Sequence, residues 1–276
     1  MGGLFTVWAT SLAFDVGRYV VTAGVAFTLF WVWGRERFRH RLVNGAYARA
    51  PQLRRELAYS ASTALVFSVV GTCIWYGTRA GVFRVYDVWR DRGAAYFALT
   101  LVLLPVLHDA YFYWTHRAMH HPLLFKRVHR VHHMSTNPSP WAAYAFAPFE
   151  AIVQALYVPL ILLVLPVHAV ALFVFLAFMI VRNVLGHLGL ELFPRRFVRS
   201  RWTSFSTTTT HHCMHHRRVD ENYGLYFTWW DRWMGTMGAT YEETFERVAS
   251  APRGRVRRPA VAAFRRTEGR SEASRP

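Results

Sequence analysis

The chain has 276 residues and a net charge of +17, and 53% of it is hydrophobic and 16% aromatic, which is more apolar than an ordinary soluble domain. The charge does not point to nucleic acid, because the basic residues stand beside apolar runs, where arginine sets membrane topology and attracts anionic headgroups. Two cysteines, Cys73 and Cys213, suggest no disulfide framework, and Cys213 reads as a free thiol rather than a ligand.

Residues 16–33, 58–77 and 94–114 each form an apolar run close to the ~20 residues that span a hydrocarbon core. The first run lacks the charged start and cleavage site of a secretory signal and reads as a retained span. The loop from Gly34 to Leu57 carries Arg35, Arg37, Arg39, Arg41, Arg49, Arg54 and Arg55 against Glu36 and Glu56, and the positive-inside rule places it in the cytosol. The segment after the second run instead mixes Arg84, Arg90 and Arg92 with Asp87 and Asp91. From about Ala143 to Leu185 the apolar stretch is too long for one crossing, and Pro166 divides it into a helical hairpin.

Threading the spans from the basic loop leaves residues 115–142 and everything after about Gly186 on the cytosolic side. The predicted fold is all-α: a multi-pass transmembrane helical bundle of about four to five spans, hairpin included, with a cytosolic His-rich helical cap. Residues 1–93 supply N-terminal transmembrane helices and the basic loop, and residues 94–249 a di-metal catalytic region. Residues 250–276, with eight arginines and almost no large apolar side chains from Ala251 onward, read as a disordered basic tail. For a bacterial chain the location is the inner membrane.

Ten of the 14 histidines fall in three short clusters: His116, His120 and His121; His129, His132 and His133; and His211, His212, His215 and His216. Spacings of i, i+3 and i+4 project imidazoles onto one helical face, where they can converge on a metal. His108 lies two turns deeper than His116 in the third span, and Asp109 beside it suits a role accepting the spare ring proton of a ligating histidine. His187 stands where the hairpin returns to the cytosolic face, whereas His40 and His168 read as bystanders. The candidate ligands are therefore His108, His116, His120, His129, His132, His133, His187, His212, His215 and His216. That is too many for one ion, since a closed site takes four protein ligands and a catalytic one generally three.

Imidazole alone does not choose the metal. A two-metal hydrolase would mix carboxylates with histidine, and no paired carboxylates flank these clusters. A site at the mouth of a membrane bundle suits a lipid whose C–H bonds are unactivated; oxidising them requires dioxygen and a redox metal, and zinc cannot cycle. Two iron ions are the expected cofactors, although zinc can occupy such a site in a purified sample. No haem-binding or flavin-binding domain is visible, so a separate electron-donor protein is expected alongside the bilayer and the lipid substrate, with no nucleic-acid partner. The alternatives are a haem-carrying membrane protein, which would place lone histidines on facing spans, and a metal transporter, whose ligands would line the mid-membrane.

The segments HDAYFYWTHRAMHHPLLFKRVHRVHH, PWAAYAF with Glu150, NVLGHLGLE and HHCMHHRRVDENYGLYFTWWDRWMGT together resemble the fatty acid hydroxylase and sterol desaturase superfamily of membrane di-iron oxygenases. The resemblance runs from about Phe97 to Thr236. It implies a helical bundle with a cytosolic cap holding two metals, and dioxygen-dependent hydroxylation or desaturation of a lipid. It assigns an H-x3-H box to His116 and His120, one H-x2-H-H box to His129, His132 and His133, a second to His212, His215 and His216, and an isolated ligand to His187. The pattern departs at Ala147, where many members carry histidine, and the adjacent His121 competes with His120 in branches that space the first box one residue wider. Asn222-Tyr-Gly and Trp230-Asp231 also fit the family, with a role in packing the cap. The sequence separates neither hydroxylation from desaturation nor sterol from carotenoid, fatty acyl or ether lipid. The aromatics Tyr111, Phe112, Tyr113, Trp114, Trp141, Tyr144 and Phe146 are candidates for the pocket wall, although interfacial belts use the same residue types.

Overall fold

Helix α1 (Leu4–Phe27) continues without a break into a π-helical segment, Thr28–Trp33, and so begins well before residue 16. The charges at its centre do not end it, because Arg18 Nη2 lies 2.7 Å from Asp15 Oδ1 one turn away and the pair is neutral as a whole. This is described by a computed structural model covering residues 2–252; most of the expected basic tail at 250–276 lies outside the described residues. Helix α2 (Ala50–Arg79) starts with proline in its first turn, where a missing N–H costs nothing. Helix α3 (Gly93–Met119) runs straight through Pro105, which an apolar helix packed among neighbours tolerates.

Two short helices follow, α4 (Pro122–Val128) and α5 (Arg130–His133), and then the hairpin of α6 (Pro148–Val164) and α7 (Ala169–Gly186). Leu165 is extended, with φ −105° and ψ 120°, because the residue before Pro166 is steered out of the helical region. That one residue ends α6 and opens the turn. Helices α8 (Thr209–Arg217), α9 (Trp229–Trp233) and α10 (Tyr241–Ala249) are the last among the described residues.

Among the described residues four helices are long and apolar enough to cross a membrane, Leu4–Trp33, Ala50–Arg79, Gly93–Met119 and Ala169–Gly186, and α6 is a shorter apolar helix. Large apolar side chains such as Phe5, Val102 and Phe173 point away from the bundle and are exposed, as a lipid-facing surface requires. The chain is a multi-pass membrane protein.

The connections sort into two opposite ends. At one, strand β1 (Val85–Tyr86) pairs in parallel with β2 (Val167–His168), Val85 opposite Val167, so the α2–α3 loop grips the hairpin turn. At the other, the basic loop folds onto the segment after α7: Val43 N donates to Gly189 O at 3.1 Å and Glu191 N to Arg41 O at 2.9 Å. The loop is also fastened to the segment after α5, where Gln52 Nε2 donates to Asn137 O at 2.7 Å. The arginine-rich loop and all three histidine clusters therefore share one end of the bundle. Gly189 makes this junction possible: its φ is +74°, and a Cβ there would meet Pro138 O at 2.9 Å, a conformation and a space open only to glycine.

Candidate metal centre

Each histidine reaches the centre through a local feature of its element. His116 projects from the last turns of α3, and His120 caps its C-terminus. His132 and His133 lie in α5, with His129 as its N-cap. His187 caps α7 at its C-terminus. Thr208 opens α8 by accepting His211 N with its hydroxyl at 3.2 Å, a capping bond that sets the rotation of the helix carrying His212, His215 and His216.

The imidazoles divide into two groups. His116, His120, His129, His133 and His215 form one, and His132, His187, His212 and His216 the other; within each, the ring nitrogens lie within 4.8 Å of one another. In the first group His116 Nε2 is 3.0 Å from His129 Nε2 and His133 Nε2 is 3.2 Å from His120 Nε2. In the second, His187 Nε2 is 2.8 Å from His212 Nε2 and 3.2 Å from His132 Nε2, and His216 Nε2 is 3.1 Å from His212 Nε2.

The far side of several rings decides what these nitrogens are. His116 Nδ1 faces Tyr223 O at 2.9 Å, His187 Nδ1 faces Asn183 O at 2.8 Å, and His215 Nδ1 faces Glu221 O at 2.7 Å. A carbonyl oxygen only accepts, so each Nδ1 carries the proton and each Nε2 presents a bare lone pair. His116 and His215 thus aim two lone pairs into one space, with ring centroids 4.4 Å apart, and His215 Nε2 is buried with no hydrogen-bond partner among the described residues. Converging buried lone pairs repel unless a cation lies between them, so the donor set fits a metal ion in each group.

The surroundings keep the rings neutral. Burial, reinforced by neighbouring imidazoles, holds His129, His132, His212, His215 and His216 well below the ordinary value of 6.5, and burial lowers His187 to about 4. The neutral ring is the form that ligates.

The remaining residues singled out in the sequence take other places. His108 joins neither group; its Nδ1 lies 2.8 Å from Tyr226 Oη. His121 caps α4, where its Nδ1 accepts Leu123 N at 3.4 Å, leaving His120 as the one of this pair that reaches the centre. Asp109 makes no hydrogen bond to an imidazole among the described residues: its Oδ1 accepts the amides of Tyr226 at 2.7 Å and Phe227 at 3.2 Å. The carboxylates that do face imidazoles are Glu150, whose Oε1 is 2.8 Å from His129 Nδ1, and Asp231, whose Oδ2 is 3.1 Å from His211 Nε2. Glu150 entered the sequence reading only among the segments that carry the resemblance; its place as a lone acid in an apolar run is the signal that could have singled it out. The carbonyls of Asn183, Glu221 and Tyr223 carry no sequence signal at all.

A family model described as fatty acid hydroxylase matches residues 101–236. The chain is 30% identical over 201 residues to the Delta(7)-sterol 5(6)-desaturase erg3C of Aspergillus fumigatus, covering 67% of this chain and 62% of that protein. It is 30% identical over 200 residues to the lathosterol oxidase of Homo sapiens, covering 71% of this chain and 64% of that protein. The chain belongs to the fatty acid hydroxylase and sterol desaturase superfamily. It spans less than two thirds of the length of these relatives, and no solved structure matches it. All nine converging histidines lie inside the stretch that matches the superfamily.

On the bundle side of the centre lies an apolar cleft of about 910 Å³, part of it open to the surroundings. Two of its wall residues touch the converging histidines directly: Phe112 packs on His116 with ring centroids 4.8 Å apart, and Phe146 on His132 at 5.2 Å. Of the seven aromatics singled out in the sequence, Phe112, Tyr144 and Phe146 line this cleft. Trp114 is instead exposed, and the Tyr113 hydroxyl lies 2.9 Å from Thr236 Oγ1 in the cap.

Proposed function

We propose that this chain is a membrane di-iron oxygenase that hydroxylates or desaturates a lipid with dioxygen and electrons from a separate protein. The observation that carries the reading is the division of nine histidines into sets of five and four, with neutral rings whose lone pairs converge. The two sets touch, since His133 and His216 have ring centroids 5.0 Å apart. His116, His120, His129, His133 and His215 would hold one ion, and His132, His187, His212 and His216 the other. Two irons, when bound, supply the redox chemistry by which dioxygen oxidises an unactivated C–H bond.

The chain's own residues do the rest. The carbonyls of Tyr223, Asn183 and Glu221 keep the Nδ1 protons in place and aim the rings, and Glu150 does the same for His129. Phe112 and Phe146 form an apolar wall between the histidines and the cleft, which keeps bulk water away from the side where a hydrocarbon would lie. The relatives whose names describe sterol desaturation support a lipid substrate. The arginine-rich loop, which shares an end with the histidines, supports a cytosolic site and a donor that approaches from the cytosol. Sets of five and four imidazoles at one end of the bundle favour this reading over a haem protein or a mid-membrane transporter.

The test is a comparison of lipid extracts from cells expressing the wild-type chain and a His132→Ala, His215→Ala double variant. A species gaining one oxygen or losing two hydrogens should appear only with the wild type. Equal oxidation by the double variant would refute the proposal.

A further inference from the structure

Among the described residues Tyr223 is the only tyrosine or tryptophan whose ring packs on the nine histidines. Its ring centroid lies 5.1 Å from that of His120, 5.4 Å from His215 and 5.7 Å from His116, all members of the five-histidine group. The other non-imidazole rings that touch the nine are phenylalanines: Phe112 and Phe146 on the cleft side, and Phe125 on His120 and His133. From Tyr223 a file of tyrosine and tryptophan leads outward. Tyr113 follows at 6.1 Å, Trp230 at 5.8 Å from Tyr113, and Trp233 at 5.4 Å from Trp230, each step within the range of contacting aromatic pairs. Trp233 is 64% exposed and stands in α9, outside the four long apolar helices. Trp114 is a side branch, 5.4 Å from Tyr113.

Phenylalanine would serve for packing alone, as it does on the cleft side. Tyrosine and tryptophan differ in giving up an electron far more readily. A phenol that loses an electron also loses its proton, and Tyr113 has a place for it. Thr236 Oγ1 donates its one hydrogen to Asp231 Oδ1 at 2.8 Å, so in its 2.9 Å contact with Tyr113 Oη it is the acceptor. The Tyr113 O–H therefore points into a hydrogen-bond chain that ends on a carboxylate. Electron balance gives such a file a task. One dioxygen takes four electrons and four protons to become two waters. With a lipid in the cleft, oxidation of its C–H bond supplies two of the electrons; with the cleft empty, those two must come from the protein or through it.

We infer that Tyr223, Tyr113, Trp230 and Trp233 form a relay that carries single electrons from the surface to the five-histidine group when dioxygen is consumed without a lipid. The inference rests on the reading of the chain as a di-iron oxygenase. Two electrons come from the metal ions, and two enter at Trp233 from two molecules of a small thiol, which lose two protons and join as a disulfide. The other two protons come from water. Each relay ring returns to its starting state, and the Tyr113 proton comes back through Thr236. Without a thiol Trp233 is consumed instead: it loses two electrons and two protons and takes up the oxygen of a water, a mass gain of one oxygen.

The full chain is purified in detergent, loaded anaerobically with ferrous iron and exposed to air without lipid or thiol, and its peptides are mapped by mass spectrometry. An oxidant diffusing in solution attacks according to exposure, so it marks Trp202, which is 72% exposed, packs on Arg201 and is no part of the file, at least as heavily as Trp233. The relay reverses that order. Trp233 should gain oxygen in preference to Trp202, a zinc-loaded chain should show no gain at either, and glutathione should remove the mark. Tyr113→Phe should abolish the preference and shift the mark inward to Tyr223, and Trp230→Phe should move it to Trp114. Trp202 marked as heavily as Trp233, or an undiminished mark at Trp233 in a folded Tyr113→Phe or Trp230→Phe variant, would overturn the relay. If neither variant folds, the comparison of Trp233 with Trp202 in the wild type decides alone. Lipid oxidation by the wild-type chain without a preference for Trp233 sinks the relay and leaves the oxygenase reading. A preferred Trp233 mark in a chain that oxidises no lipid keeps the relay and removes the lipid from that reading, and loss of both results sinks both.

Discussion

Asp231 Oδ1 accepts the amide of Tyr223 at 2.8 Å, and the carbonyl of that same Tyr223 receives His116 Nδ1 at 2.9 Å. The other Asp231 oxygen takes Gly224 N at 2.9 Å and His211 Nε2 at 3.1 Å. One carboxylate thus fixes the turn whose carbonyls orient His116 and His215. Asn222, the one non-glycine residue with positive φ among those described, supports the same turn by accepting Gly238 N at 2.7 Å.

Changing Asp231 to Ala should weaken the five-histidine group without removing a ligand. Partners that orient ligands are typically worth about ten- to a hundredfold in metal affinity, and that loss is expected here. Metal titration of the purified variant is the measurement; affinity equal to the wild type would show that the turn holds itself.

The two groups should be separable by mutation. His215→Ala removes a member of the first and His187→Ala a member of the second, and each should lower the metal content from about two ions per chain towards about one. His108→Phe should leave the metal content unchanged, since its ring belongs to neither group, while altering the cleft that it lines. Elemental analysis of the three variants decides the assignment, and loss of metal in His108→Phe would return His108 to the ligand set.

Acid should destabilise the metal-free protein. His129, His132, His212, His215 and His216 are held well below 6.5 in the fold, so above that pH neither folded nor unfolded chain binds their protons. Below it the unfolded chain takes up protons that the folded one refuses, and stability falls as pH falls. The melting temperature in detergent should drop between about pH 7.5 and about pH 5.5, the range over which unperturbed histidine charges. A rise would contradict the buried, neutral cluster.

Gly189→Ala should cost about 1–3 kcal/mol, the usual penalty for a non-glycine residue forced into a left-handed conformation. The contact that a Cβ would make with Pro138 O places the damage at the junction behind His187. A lower melting temperature together with weaker binding at the four-histidine group is the expected pair of results.

Much of this was legible in the sequence because periodicity and charge act locally. The apolar runs marked the helices, Pro166 marked the hairpin, and the i, i+3 and i+4 histidines marked the faces that converge. The early start of α1 was hidden because the expected run opened only after Asp15, a charge that the helix pairs with Arg18 one turn on. His108 and His116 share a helix stripe, but spacing along α3 cannot tell that His108 falls beside Tyr226. Nor can spacing reveal that Asp109 serves backbone amides while Glu150 and main-chain carbonyls serve the imidazoles. Those partners come from segments distant in sequence, and their placement depends on how the cap folds over the bundle.

The Leu4–Trp33 and Ala50–Arg79 helices have 30 residues each, and at about 1.5 Å per residue each is about 45 Å long, against about 30 Å of hydrocarbon. Part of each helix must tilt within the bilayer or stand clear of it, and at its far end the first carries Trp31, whose Nε1 donates to Leu188 O at 2.9 Å next to His187. A single rod is therefore lipid-embedded along one stretch and a strut for the imidazole cap along another. Bilayer thickness becomes a dimension of the site: a thicker membrane claims more of the rod and draws the cap towards the headgroups, and a thinner one lifts it clear.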